Sequence, residues 1–558
     1  MTAFRLLEHF DRVGEAPGAV RRLRRFILDL AVRGKLVEQD PADQDISHLL
    51  PPLKNTGHQD GSEPKLQTDK NINSFDIPPS WRWVRLGDFT SIVMGQSPPG
   101  NTYNKDRNGL PLINGPVEFT EGPFGRTIVN QYTTAPTSIC EEGDFLICVR
   151  GSTTGRTNIA GFRACIGRGV AAIRPVFGDQ YVRLFIWRMR ESIIAMGRGI
   201  AFPSVSRQQL ESLPVSLPPI AEQMRIVAKV DEMMALCDQL EAAQEERESR
   251  RDRVITVSLR LNEPADAPQF REDVQFHLNY LARLTTRIEH VKKLRQTILD
   301  FAVRGRLVEQ DTSDAGVSAL LRRSDVRRQE TARDDRRADT ERAPLLAAEQ
   351  RWSTPGPWEW RALADLALFV DYRGQTPTKT NGGVRLLTAK NIKKGAVTLT
   401  PEEFVSEEGY ERWMTRGFPS VGDVLFTTEA PMGNAAVVRL TERFALAQRV
   451  ICFRLYGALN PDFLVLQLLA HPFQTILEKT ATGLTAKGIK AAKLKRLPIA
   501  VPPLAEQERI VARVDELMAV CDRLEAQIAA GATASSQLLE ALLHEALVHP
   551  HAPHLMKI

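Results

Sequence analysis

The sequence predicts a mixed α+β protein. Two α/β domains are separated by two antiparallel helical coiled-coil spacers, in a pseudo-two-fold tandem duplication whose circular arrangement brings the termini together. Two internal repeats carry this expectation. "LRRFILDLAVRGKLVEQD" from Leu23 to Asp40 returns as "LRQTILDFAVRGRLVEQD" from Leu294 to Asp311. "LPPIAEQMRIVAKVDEMMALCDQLEA" from Leu217 to Ala242 returns as "VPPLAEQERIVARVDELMAVCDRLEA" from Val501 to Ala526. The third observation is a contrast: the segments between the repeats share punctuation and little else.

A chain of 558 residues is too long for one ordinary core and points to three or four domains. Its apolar and charged fractions, 43% and 25%, are those of a globular protein, and a net charge of +5 permits a nucleic-acid partner without demanding one. The opening "MTAFRLLEHFDRVGEAPG" carries acidic residues within its first apolar turns, unlike a secretory signal. No window approaches the roughly 18 apolar residues of a membrane span. The six cysteines are dispersed without a C-x-x-C pair, which favours buried free thiols over disulfides or zinc. A cytoplasmic protein is expected.

The elements then follow in order: an N-terminal helical region (1–50), a first variable block (76–217), a central helical spacer (218–311), a charged linker (312–352), a second variable block (353–501) and a C-terminal helical region (502–558). In the helix after Pro218-Pro219, apolar residues recur in steps of four and three at Ile226, Val230, Met233, Cys237 and Leu240. The helix after Pro502-Pro503 repeats this at Ile510, Val514, Leu517, Cys521, Leu524 and Ile528. This is a heptad seam behind a proline that pre-sets the first turn. The helix ending near Gly305 has a matching stripe at Leu281, Leu284, Ile288, Val291 and Ile298, and the short "LNEPADAPQF" connection predicts an antiparallel hairpin with the helix before it. The first and last helices have no such sequence neighbour, so they are expected to form the second, equivalent pair.

The variable blocks read as strands and turns. "WRWVRLGD" from Trp81 matches "WEWRALAD" from Trp358, "GQSP" at Gly95 matches "GQTP" at Gly374, and "EGDFLICVRGSTTG" from Glu142 matches "VGDVLFTTEAPMGN" from Val421. Apolar alternation after a Gly-Asp turn predicts a strand leaving a turn. A shared frame with unlike loops is how recognition modules diverge. The segment from Arg322 to Pro344 is dense in both charge signs and reads as a solvated linker or exposed helix.

The "LPxxxPPxAEQxxIVxxVDExM" passages at Leu213 and Leu497 and the "LRxxILDxAVRGxLVEQD" passages at Leu23 and Leu294, set around two unlike blocks, resemble the specificity subunits of type I restriction-modification systems. The resemblance implies that each block is a target recognition domain reading one half of a split site in double-stranded DNA. It implies partners: two methyltransferase subunits, which use S-adenosylmethionine, and two restriction subunits that can join them and use ATP and Mg. It also implies that this chain binds no cofactor or metal and does no catalysis itself.

The residues agree with that reading. There is no G-x-x-x-x-G-K-[ST] phosphate loop, since "GSTTGRT" at Gly151 lacks the lysine, and no amino-methyltransferase or nuclease constellation is evident. A helix of about 30 residues spans about 45 Å, comparable to the roughly 34 to 36 Å between half-sites one DNA turn apart. From Pro78 to Leu217 there are fifteen Lys plus Arg against ten Asp plus Glu, and all but one of the basic residues is Arg. Arginine suits both phosphate and guanine, although an Arg-rich surface alone would look the same. Candidate DNA contacts in the first block are Gln96, Ser97, Arg150, Ser152, Thr153, Arg156, Arg198 and Ser204. In the second they are Gln375, Thr376, Thr428, Glu429, Asn434, Lys487 and Lys490. At each of these positions a turn-shaping role competes with a base or phosphate contact. The duplicated polar residues Glu222, Gln223, Arg225 and Asp231, with Glu506, Gln507, Arg509 and Asp515, form a candidate docking face for the two methyltransferase subunits. The rival readings are a protein-only coiled-coil scaffold and a methyltransferase or nuclease with unrecognised motifs.

Overall fold

The computed structural model describes residues 14, 16–50, 75–197, 204–258, 285–334, 342–345, 351–372, 377–483 and 487–548. The chain divides into two compact units, Met1–Arg250 with Gly531–Ile558, and Arg251–Ala530. Four helices frame them: α1 (Ala19–Val32), α2 (Ile220–Ser258), α3 (Ile288–Val303) and α4 (Leu504–Val548).

In the first unit, α1 buries Val20, Ile27, Leu28, Ala31 and Val32 against the seam residues Ile226, Val230 and Cys237 of α2. The two helices run antiparallel, because Arg24 near the start of α1 pairs with Asp238 and Glu241 far along α2, while Gln39 beyond its end reaches Glu222 at the start of α2. The second unit repeats this. Val291, Leu294 and Ile298 of α3 pack on Ile510, Val514, Leu517, Cys521 and Leu524 of α4, with Arg295 on Asp522 and Glu525. Each heptad seam is therefore covered by the helix of its own repeat, which lies far upstream, and not by its sequence neighbour as the hairpin expectation had it. A heptad stripe requires an apolar partner but does not name one.

The neighbouring helices do meet near their ends. Within the second unit, Asp252 in the last turns of α2 bonds His290 Nε2 at 2.9 Å and Arg287 at 3.1 Å. Leu281, Leu284 and the Pro-containing connection lie outside the described residues. Within the first unit, Leu539, Leu542 and Leu543 near the end of α4 pack on Ala16 and Ala19, and Arg22 donates to the Ser536 carbonyl at 3.0 Å.

Between each pair of helices a variable block is inserted, and a two-stranded antiparallel ribbon closes it at the root. Arg82–Arg85 pairs with Pro214–Leu217 in the first unit, and Glu359–Ala362 with Pro498–Val501 in the second. Beyond the root stands an antiparallel four-stranded sheet. Its order in the first block is Thr90–Met94, Val170–Pro175, Phe145–Cys148, Thr157–Ile159. In the second block it is Ala367–Asp371, Val450–Leu455, Val424–Thr427, Ala435–Val437. A second sheet in each block, five-stranded in the first and three-stranded in the second, contains one parallel pair, Leu110–Ile113 with Ala164–Ile166 and Val384–Leu387 with Phe444–Leu446.

The helix ends α1 and α3 are fixed by the same device. Gly34 and Gly305 take φ of +66° and +64°, and the next amide reaches back to the carbonyl five residues earlier, Lys35 to Leu30 at 2.9 Å and Arg306 to Phe301 at 3.0 Å. That is a Schellman turn with glycine in its left-handed position. A Cβ on Gly34 would stand 2.4 Å from Pro78 Cγ, and one on Gly305 would stand 2.5 Å from Pro355 Cγ and 2.8 Å from Trp358 Cζ2. We expect Gly34→Ala and Gly305→Ala each to destabilise the fold by about 2–4 kcal/mol, adding the clash to a left-handed penalty of roughly 1–2 kcal/mol. Gly18→Ala, at φ +71° with nothing near, should show the left-handed penalty alone. Urea unfolding midpoints of the three variants separate the two contributions.

Candidate nucleic-acid interface

The strand order sends one set of connections to the end of each sheet away from its root. In the first block, Thr90 pairs with Pro175 at the root end, while Met94 pairs with Ala171 and Cys148 with Val170 at the other. The loops that leave this far end are held together by their backbones. Gln96 N–H bonds the Ile166 carbonyl at 3.0 Å, Val149 N–H the Gly169 carbonyl at 2.8 Å and Val205 N–H the Val149 carbonyl at 2.9 Å, while Arg150 and Ser204 form an isolated bridge. The hairpin between Cys148 and Thr157 turns on Gly151 and Gly155, both at φ +83°.

The rim so formed carries Gln96, Ser97, Arg150, Ser152 and Arg156 exposed, with Thr153 and Ser204 half-buried. Ser97 Oγ accepts from Arg168 N–H at 3.2 Å and so also shapes the turn. Arg198 lies outside the described residues. Arg150 and Arg156, and also Arg168 and Arg190, are exposed and have no carboxylate partner among the described residues. Elsewhere in the block, Arg126, Arg163, Arg174, Arg183, Arg188 and Arg207 are ion-paired. The rim thus carries four open cations for a polyanion to meet, although Arg85 on the root ribbon and Lys105 and Arg107 are also exposed without an ion pair among the described residues. Burial pushes the nearby Cys148 thiol up to about 11, so it stays a neutral packing group at neutral pH.

The second block places its candidates less uniformly. Thr428 is buried and its hydroxyl donates to the Arg449 carbonyl at 3.3 Å, and Asn434 Nδ2 donates to the Ile392 carbonyl at 2.9 Å, so both are committed to holding the loop. Glu429 is half-buried, faces Arg449 at 3.8 Å and bridges Gly488. Lys487 and Lys490 are exposed on the segment that this bridge anchors. Gln375 and Thr376 lie outside the described residues. The Asn434 bond also ties in the turn that carries Lys390, Lys393 and Lys394, all exposed.

Residues 78–248 and 355–533 both match the type I restriction modification DNA specificity domain, and together they make up more than half of the chain. The chain belongs to that specificity family. It is 24% identical to the type I restriction enzyme EcoEI specificity subunit of Escherichia coli and 26% identical to the EcoAI specificity subunit of the same organism. Each alignment covers 95% of this chain and 94% of the relative. Among solved structures it is similar to the HsdS subunit from Thermoanaerobacter tengcongensis, with 28% identity, 43% of this chain and 52% of that one covered, and a TM-score of 0.28.

In this specificity chain Glu222, Gln223, Glu506 and Gln507 at the start of α2 and α4 face inward, which corrects the expected docking face at those four positions. Glu222 and Glu506 are each 1% exposed, and Gln223 and Gln507 are buried beside them. Glu506 Oε1 accepts from Gln310 Nε2 at 2.6 Å and from Trp358 Nε1 at 3.0 Å. Glu222 Oε1 accepts from Gln39 Nε2 at 2.6 Å, and the Trp81 indole N–H faces the same carboxyl outside hydrogen-bonding geometry. Gln507 holds the Asn460 amide and the Ala458 and Pro502 carbonyls, and Gln223 the Pro218 carbonyl. Arg225 and Arg509 make two-pronged ion pairs with Asp43 and Asp314 of their own units. Asp231 and Asp515 remain exposed. The copies agree on these residues because each locks the same internal joint.

Arg168, Arg190, Lys390, Lys393 and Lys394 were missed as rim residues. The glycines that flank Arg168 in "IGRGV" were the available signal, since a basic residue between two glycines marks a tight turn. The lysines had none, because their turn is brought to the rim by two long-range bonds, Asn434 Nδ2 to the Ile392 carbonyl and Gly395 N–H to the Ala435 carbonyl, each at 2.9 Å.

Burial pushes the Glu222 and Glu506 carboxyls up, against the hydrogen bonds they accept. A carboxyl whose folded value lies above its unfolded one stabilises the fold fully below the unfolded value, and that contribution fades as pH rises through the folded value. We expect the urea midpoint of Glu506→Gln to fall less than that of the unsubstituted chain between about pH 4 and the raised value. Glu506→Ala should lose about 1–3 kcal/mol at all pH values, because it leaves buried N–H groups unpaired.

Proposed function

We propose that the chain is the DNA sequence-recognition subunit of a type I restriction-modification complex and performs no catalysis. In this reading each block reads one half of a bipartite site, and the paired helices set the spacing and dock two methyltransferase subunits, with restriction subunits able to join. The observation that carries it is the occurrence, twice in one chain, of the specificity domain on a closed helical root with a basic rim at the opposite end of its sheet. The contact of α1 with the last turns of α4 supports a circular arrangement in which both spacers are equivalent. The docking surface then lies on exposed helix positions such as Asp231 and Asp515, since the buried members of each set are used internally. Arg150, Ser152, Arg156, Lys487 and Lys490 are the rim residues offered to DNA, with Gln96 and Ser97 beside them. The cytoplasm, where the DNA is, is the compartment this role requires.

The deciding experiment coexpresses the chain with the methyltransferase subunit encoded beside it, in a host free of adenine methylation, and maps N6-methyladenine. A split motif should appear, disappear when this chain is omitted, and change in one half when residues 76–217 are exchanged for the block of another specificity subunit. An unchanged motif after the exchange would overturn the bipartite reading. On the purified complex, Arg150→Ala with Arg156→Ala should weaken binding to all duplexes and lower the salt dependence of log K by about two, one for each lost phosphate contact.

A further inference from the structure

The turn between Ala164–Ile166 and Val170–Pro175 is held by hydrogen bonds on several sides, and its Arg168 has so far been placed at the rim without a role of its own. Ser97 Oγ accepts the Arg168 amide at 3.2 Å, Gly167 N–H bonds the Ile113 carbonyl at 2.8 Å, Val170 N–H bonds the Gly167 carbonyl at 3.0 Å and the Gly169 carbonyl accepts from Val149 N–H. Contact leaves little room for a Cβ at these glycines, least of all at Gly95 and Gly167. A Cβ on Gly167 would stand 2.3 Å from Asn114 Oδ1, one on Gly169 3.1 Å from the Asn114 carbonyl, and one on Gly95 2.1 Å from the Gly167 carbonyl. The backbone is thus clamped from three sides, and the one side chain it presents, Arg168, is exposed without a carboxylate among the described residues.

We infer that Arg168 is a base-reading residue of the first block, directed at guanine in the half-site which that block recognises. The inference rests on the bipartite reading proposed above. A phosphate contact tolerates a mobile side chain, whereas reading O6 and N7 together needs a guanidinium fork whose root does not move. The clamp supplies that fixed root, set by contacts from Ser97, Ile113 and Val149. The topologically equivalent turn of the second block, where Ala447 N–H bonds the Leu387 carbonyl at 2.9 Å and Val450 N–H the Ala447 carbonyl at 3.1 Å, carries Gln448, half-buried, in place of the arginine. The arginine of that turn, Arg449, stands one position on and faces Glu429 at 3.8 Å, so the two turns differ in chemistry and loss of Arg168 should touch only one half.

The test uses the full chain in complex with its methyltransferase subunit, and duplexes in which each base pair of the mapped site is replaced in turn. Arg168→Ala and Arg168→Lys should both slow methylation of the unsubstituted site by roughly ten- to a hundredfold, the worth of one bidentate pair. Both should also erase discrimination at a single G·C pair of the first half, with every preference in the second half retained. Retained second-half discrimination reports an intact complex. Rescue by Arg168→Lys with all first-half preferences intact would make Arg168 a phosphate ligand and overturn the inference, as would a first half without a G·C pair. If exchange of residues 76–217 leaves the motif unchanged, the bipartite reading itself has failed, an outcome separate from any result at Arg168.

Discussion

A buried carboxyl at the foot of each block is the constraint on which the rest of each unit depends. Glu506 sits where α4 begins, and its hydrogen bonds reach the tryptophan that opens the second block and the glutamine that follows α3. Three separate stretches of chain, far apart in sequence, are thus fixed at one point. Gln310 also reaches the Gly305 carbonyl, so the Schellman turn that ends α3 belongs to the same joint. A carboxyl of this burial is tolerated because it accepts bonds from donors that would otherwise be unpaired themselves. The Arg509 pair with Asp314 closes the outer side of the joint in half-exposed surroundings, where its contribution is modest and its geometry matters more.

From that joint the polarity of each reader follows. The ribbon returns the chain to the point where it left, so the block is an insertion with a single root. Antiparallel strands then deliver their turns alternately to the root and to the far end. The variable loops fall at the far end, where length and sequence can change without disturbing the joint. Two of the basic residues nearer the root are neutralised, Arg174 by Asp144 and Arg454 by Asp423, whereas Arg150, Arg156, Arg168 and Arg190 at the rim of the first block have no carboxylate among the described residues.

Legibility in the sequence divides along physical lines. Repeats, heptad seams and the two-block order could be read because periodicity and duplication are properties of the chain itself. The covering helix of each seam could not, since many apolar stripes are compatible with one another and only the joint selects between them. The inward face of Glu222 and Glu506 was illegible for a related reason. A charged residue behind Pro-Pro in the first helical turn looks solvent-facing, and its burial depends on Trp81, Trp358, Gln39 and Gln310 arriving from elsewhere. At the rims, exposed arginines on a glycine hairpin were legible from local turn chemistry, while Thr428 and Asn434 had their polar groups claimed by the Arg449 and Ile392 carbonyls, partners no local pattern announces.

The identity of the duplicated polar residues then takes on a different meaning. If they formed a docking surface, their conservation between the copies would be imposed by two like partners. Because Glu222, Gln223, Glu506 and Gln507 are buried, their identity is imposed by the joint, which must hold two unlike blocks in corresponding ways. A block that differs in every loop can be carried on this joint provided it supplies a tryptophan at its entry and a ribbon strand at its exit, as Trp81 with Pro214–Leu217 and Trp358 with Pro498–Val501 do. The requirement is small, and it leaves the far end of the sheet free to vary. Constancy at the root and variation at the rim are therefore consequences of one joint built from corresponding residues in each unit, with the tryptophan hydrogen bond to the carboxyl made in the second.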